Sequence, residues 1–204
     1  MKKDVKLYNM ILPPFMLFFF VPTLWIVSAL GNFIIDSIVL LIISIFIYKK
    51  FTWQLYKKSI IPVFLFGFLS DFLGVLYLMA ISIGSGAKYY EGNDIGKQIL
   101  SGIYLATNHS CYDSIYGVLF IVSGILFSSI FIFAFNYRVS FNNKGLSKKQ
   151  KIIASLTMAI ITAPYTFLLP KSFFFRNKNI SRFGTAIAVI TEKYLFPILI
   201  RALT

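Results

Sequence analysis

The chain has 204 residues, 58% hydrophobic and 13% charged, with 20 Lys+Arg against 7 Asp+Glu and a net charge of +13. Soluble domains average ~45–50% apolar and ~25% charged residues, so these totals exclude an ordinary water-soluble globule. Apolar runs of bilayer-crossing length remove nucleic-acid binding as the meaning of the positive charge, and a single cysteine excludes an intramolecular disulfide.

Residues 1–9 are a basic lead carrying Lys2, Lys3 and Lys6. Residues 10–30 are almost wholly apolar and exceed the ~7–15 residues of a cleaved signal's apolar core, so they read as a first span. Gly31-Asn32 is a turn signal, and residues 33–48 form a second span carrying Asp36. The pair reads as a helical hairpin, or as two helices of which the first is kinked at Pro22. A basic, aromatic stretch follows over 49–59, then a third span over 60–83 with Asp71 near its centre. Residues 84–113 are the longest polar region, and a fourth span covers 114–135. The polar, basic stretch 136–151 leads to a fifth span over 152–169, with Pro164 inside it. From residue 176 a basic segment precedes an apolar stretch over 183–203, interrupted by Glu192, Lys193 and Pro197. Ionisable groups at a helix centre cost ~2.5–3.5 kcal/mol each, so this last stretch is either an interfacial helix or a sixth span. The expected fold is therefore an all-α integral membrane protein: five transmembrane helices over 1–175 and a C-terminal apolar helix within 176–204.

Lys/Arg asymmetry sets orientation. Lys49, Lys50, Lys57 and Lys58, and then Arg138, Lys144, Lys148, Lys149 and Lys151, assign the second and fourth connections to the cytoplasm. The connection over 84–113 is balanced by Glu91, Asp94 and Asp113 and belongs outside, which places the N-terminus inside. Lys171, Arg176, Lys178 and Arg182 run against this pattern if span five crosses completely. Either Pro164 makes that span re-entrant, or late charges are tolerated.

The stretches ILPPFMLFFFVPTLWIV, GNFIIDSIVLL, FGFLSDFLG and MAIITAPYTFLLP resemble a group of small multi-pass membrane proteins of low-GC Gram-positive bacteria. The resemblance covers roughly residues 7–175 and stops before the tail from Arg176. It implies multi-pass topology in a bacterial cytoplasmic membrane and carries no catalytic residue.

Asp36 and Asp71 are the most informative positions. An acid within a span is expensive and faces a bundle interior or a water-filled cavity. Asn32, Asp36, Leu40 and Ser44 repeat every four residues, and Gly67, Ser70, Asp71 and Gly74 form a small, polar stripe in span three. Asp113, Gly117, Gly124 and Ser128 do the same in span four, and Ser155, Ala159, Thr162 and Thr166 in span five. These stripes either line a hydrated path for a proton or ion, with Asp71, Asp36, Asn32 and Ser70 as its groups, or are close-packing faces. In the second case both acids are protonated packing groups, or Asp36 sits shallow and caps the turn at Gly31-Asn32.

A second candidate is the external run Asn108-His109-Ser110-Cys111-Tyr112-Asp113. In extended backbone His109, Cys111 and Asp113 point the same way, as a nucleophile–base pair or a partial metal site requires. The plainer reading is a solvated loop in which Asn108 or Ser110 caps span four. No Gly-rich phosphate loop, HExxH or GxSxG occurs, and the sequence calls for no cofactor and no metal. The lysine clusters with Phe51, Trp53 and Tyr56 suit anionic lipid headgroups.

Three function classes follow. The leading one is a non-enzymatic subunit that acts through partner membrane proteins or as a homo-oligomer. The alternative is a small proton- or ion-coupled transporter or channel built on Asp71 and Asp36. The third is a membrane enzyme resting on His109, Cys111 and Asp113.

Overall fold

The computed structural model describes residues 22–46, 53–142 and 145–169. The basic lead, the start of the first expected span and the C-terminal apolar helix lie outside the described residues. Among the described residues all regular structure is helical, and four segments are long and apolar enough to cross a membrane.

Helix α1 covers Pro22–Phe46. The helix passes straight through Gly31-Asn32, so the reverse turn expected there is not formed, and Asp36 sits mid-helix rather than capping a turn. The physical reason is solvent. A Gly-Asn pair stops a helix where water can take over the freed backbone groups. In an apolar environment each N–H must find its own i−4 carbonyl, and the surrounding isoleucines supply that environment.

Helix α2, Trp53–Gly84, begins inside the stretch expected to be a loop and contains Pro62. Its first turn is held by aromatic and basic side chains together. Trp53 stacks on Tyr56 with ring centroids 5.3 Å apart, and Lys57 Nζ lies 5.3 Å from the Trp53 ring. The polar region that follows is also partly helical. Asp94 caps α3, Ile95–Asn108, by accepting from the Gly96 N–H at 2.8 Å. A 3-10 turn, Cys111–Asp113, then leads into α4, Ile115–Phe135, which continues as a single π-turn over Asn136–Ser140. Neither Asn108 nor Ser110 caps α4: Asn108 donates back to Tyr104 O, and Ser110 caps the 3-10 turn. Helix α5, Lys148–Ile161, opens with a capping box between Ser147 and Gln150. It ends well short of residue 169, because Pro164 cannot donate to the ladder. A 3-10 turn, Tyr165–Leu168, carries the chain onward.

The long helices form a ring in which α1 packs on α2, α2 on α4, α4 on α5 and α5 back on α1, while α3 lies against α4. Two apolar clusters fill the ring. One, at the lysine-rich end, contains Leu40, Val63, Ile132, Phe141 and Met158. The other, at the opposite end, contains Leu78, Ile103, Phe120, Ile121 and Phe167. The segment from Lys148 to Leu168 contributes to both clusters, so it runs from one end of the bundle to the other.

Small residues set the contacts between helices, as is usual where apolar surroundings give no net drive to bury apolar surface. A Cβ on Gly74 would overlap Ser128 Oγ and lie 3.2 Å from the Gly124 carbonyl, so α2 and α4 meet along this line. Gly102 of α3 and Gly117 of α4 face each other in the same way. The outward faces are aliphatic, with Ile34, Ile38, Leu65 and Ile130 all exposed.

Candidate functional site

Between the two apolar clusters lies a polar layer, and the two acids meet in it. Asn32 and Asp36 stand one turn apart on the inward face of α1. Opposite them, Gly67 and Asp71 stand one turn apart on α2. Asn32 Nδ2 donates to Asp71 Oδ2 at 3.1 Å. A Cβ on Gly67 would lie 3.5 Å from Asp36 Oδ2, so the bare glycine backbone makes room for that carboxylate. From the third side, Thr162 at the end of α5 faces Asp36; its one hydroxyl proton is donated to Met158 O at 2.9 Å, so only its oxygen lone pairs are left for Asp36. Asp36 is only 4% exposed. The second oxygen of Asp71, Oδ1, is buried and has no hydrogen-bond partner among the described residues. The two carboxyl groups are close enough to act on each other electrostatically.

Depth follows from helix rise. Asp71 is ~20 Å from the Gly84 end of α2 and ~22 Å from Tyr56, at ~1.5 Å per residue. Asp36 is ~15 Å from the Phe46 end of α1 by the same rise. Both acids therefore sit near mid-height of helices long enough to cross a ~30 Å hydrocarbon layer.

Ser70, grouped with these residues from the sequence, has a different role. Its hydroxyl donates to Phe66 O at 2.7 Å on its own helix and does not enter the pair. Thr162 was visible in the sequence only as one member of a polar stripe. Its contact with Asp36 depends on where Pro164 ends α5, which the stripe does not reveal.

The external run is not assembled into a site. Cys111 is buried in the apolar cluster, with its thiol directed at Leu168 O at 3.8 Å. His109 is exposed, with its ring 6.2 Å from that of Tyr104. Asp113 is exposed as well. The expectation that the three side chains point the same way assumed extended backbone, and the 3-10 turn at Cys111–Asp113 removes it. Burial, together with the nearby Asp113 carboxylate, pushes the Cys111 thiol up from its ordinary value. A thiol held neutral is a poor nucleophile. Among the described residues no three His, Cys, Asp or Glu side chains cluster as metal ligands.

No protein-family model, characterised protein or solved structure matches the chain.

Proposed function

We propose that this chain is a multi-pass protein of a bacterial cytoplasmic membrane that binds and releases a proton at the Asp36–Asp71 pair in the course of proton-coupled transport. One observation carries the reading: Asp71 Oδ1 is buried without a partner beside a second buried acid. Two carboxylates side by side and away from water cannot both stay charged, and a shared proton meets the need of both. The surrounding groups favour a proton over a metal ion. Asn32 presents its N–H to Asp71, a donor that holds a carboxylate but competes with a cation for its oxygens. The Thr162 hydroxyl is committed to Met158 O, so its oxygen can only accept, which suits a protonated Asp36.

In this reading the lysine-rich end of the bundle faces the cytoplasm and α3 faces outward. The four described segments cross the membrane. Lys57 beside Trp53, and Lys151 at 4.4 Å from the Tyr137 ring, provide contacts for anionic headgroups.

Infrared spectroscopy of the reconstituted protein tests the proton reading without knowledge of the transported substrate. A protonated carboxyl absorbs apart from a carboxylate. The wild type is expected to show such a band that titrates with pH, and Asp71→Asn or Asp36→Asn should abolish or displace it. A spectrum with no pH-sensitive carboxyl band, or one unchanged by both substitutions, overturns the reading.

A second reading, a subunit acting through partner membrane proteins or as a homo-oligomer, draws on the exposed ridge Ile34, Ile38, Ile42 and Ile45 along α1. Extraction in mild detergent distinguishes it. Stoichiometric recovery of a second membrane protein, or of a stable oligomer broken by Ile38→Trp, favours this reading.

A further inference from the structure

The four long helices repeat one pattern between the carboxyl pair and the lysine-rich end. On α1, Asp36, Leu40 and Ser44 follow at intervals of four residues. On α4 the series is Ser128, Ile132 and Asn136. On α5 it is Thr162, Met158 and Ser155. On α2 it is Gly67, whose face meets Asp36, then Val63 and Ser59. Spacings of three and four keep such residues on one face, a turn apart.

The middle members form a layer of their own. Leu40, Val63, Ile132 and Met158 are each no more than 1% exposed, and all four belong to one packed cluster. One apolar side chain from each helix therefore closes the bundle, about one helical turn, or ~5 Å, below the acids.

A turn further down the groups are polar again. Ser59, Asn136, Ser140 and Ser155 are fully buried. Ser59 Oγ, Asn136 Oδ1, Ser140 Oγ and Ser155 Oγ have no hydrogen-bond partner among the described residues. The amide of Asn136 is already committed through Nδ2, which donates to Ile132 O at 2.9 Å, so its oxygen is the free end. The π-turn carrying Asn136 and Ser140 packs on both α2 and α5, which carry Ser59 and Ser155. Buried polar groups are almost always hydrogen-bonded, and each one left unsatisfied costs ~1–3 kcal/mol. Ser59, Asn136 and Ser155 stand about one turn below the apolar layer and Ser140 a turn beyond Asn136, and this run of unsatisfied groups calls for a small partner that can both donate and accept. Water is that partner.

We propose that this lower polar layer is a water-binding vestibule, and that Leu40, Val63, Ile132 and Met158 are the hydrophobic gate between its water and the Asp36–Asp71 pair. What the gate controls rests on the proton reading; the vestibule and the gate rest on the packing alone. A proton moves along hydrogen-bonded water, and an apolar constriction blocks it by excluding that water. Met158, unbranched and flexible, is the gate member best able to swing aside.

Cysteine accessibility tests the proposal. Cys111→Ser removes the native cysteine, the only one in the chain. Into that background Ser59→Cys, Ser140→Cys and Ser155→Cys are introduced singly. Thr162→Cys probes the far side of the gate, and Ile153→Cys, whose parent is 52% exposed on the outward face, is the control. Each is treated with a membrane-impermeant methanethiosulfonate in inverted and in right-side-out vesicles. The reaction needs a hydrated thiolate. The vestibule cysteines are expected to react at least about tenfold faster than Ile153→Cys, and only from the lysine-rich side. From that side Thr162→Cys should react slowly, and Met158→Ala or Leu40→Ala should accelerate it at least about tenfold by letting water through. Vestibule cysteines as slow as the control would mean dry packing and overturn the vestibule. A Thr162→Cys that reacts fast with the gate intact, or stays slow in both alanine variants, would overturn the gate. None of these reactions uses either carboxyl group. If the infrared band is absent while the reactivity pattern holds, the proton reading fails alone.

Discussion

Asn32 on α1 and Asp71 on α2, 39 residues apart in sequence, are joined by a 3.1 Å hydrogen bond at mid-height in the bundle. This bond fixes how the two helices are aligned. With it in place, Asp36, one turn further along α1, comes opposite Gly67, one turn back along α2. A shift of one residue would swing Asp36 off this face and set it against a side chain instead of a bare backbone. The pairing of the acids is thus a consequence of one interhelical contact and one missing side chain.

The contact has a measurable strength. Hydrogen bonds between membrane helices average ~0.6 kcal/mol in double-mutant cycles and reach ~1.7. A cycle built from Asn32→Ala and Asp71→Ala, followed by unfolding in mixed detergent micelles, is expected to give a coupling within that range. A coupling indistinguishable from zero would mean that the bond does not set the alignment of α1 and α2.

Glycines at two places should respond in opposite ways. Gly74→Ala puts a methyl group into Ser128 Oγ, 3.2 Å from the Gly124 carbonyl and 3.3 Å from Phe167 Cε2. Overpacking of this kind costs about 1–3 kcal/mol, and adding Ser128→Ala should recover part of the loss. Gly31, mid-helix in α1 with nothing within 4 Å of an added Cβ, should accept alanine with a gain of up to ~1 kcal/mol. Thermal unfolding in detergent reads both. Equal effects at the two sites would contradict the contact between α2 and α4.

Cys111 should be slow to alkylate. Its thiol is pushed up by burial and by Asp113, so the neutral form persists to higher pH than in an exposed cysteine. Because the thiolate is the reactive form, the rate of maleimide labelling should rise at higher pH than for Tyr112→Cys in a Cys111→Ser background, where the replaced residue is exposed. Superimposable pH–rate curves would show that Cys111 is more open than its packing against Leu168 implies.

Topology reporters fused at Gln54 and Gly145 should report a cytoplasmic location, and one at Asn93 an external location, because lysine is concentrated at the first two and balanced by acids at the third. A cytoplasmic signal at Asn93 would invert the orientation and move the vestibule to the outer side.

The apolar runs and the acids at Asp36 and Asp71 were legible in the sequence, because apolar length and a charge inside it are one-dimensional properties. So were the inward faces of the helices, since Asn32, Asp36, Leu40 and Ser44 lie on one stripe at helical spacing. Three features were not. Gly31-Asn32 carries the same turn signal in any setting, and only the apolar surroundings make it helix. The side chains of His109, Cys111 and Asp113 alternate only on an extended strand, and the 3-10 turn there puts Cys111 into the core while leaving the other two exposed. Thr162 reaches Asp36 because α5 stops before Pro164 and packs back on α1. Sequence by itself determined which residues shun lipid, since that depends on the chemistry of each side chain and its period along one helix. Tertiary structure alone decided which of them meet, since a partner across a bundle depends on the axial alignment of helices far apart in the chain, and close contacts such as Gly67 with Asp36 set that alignment.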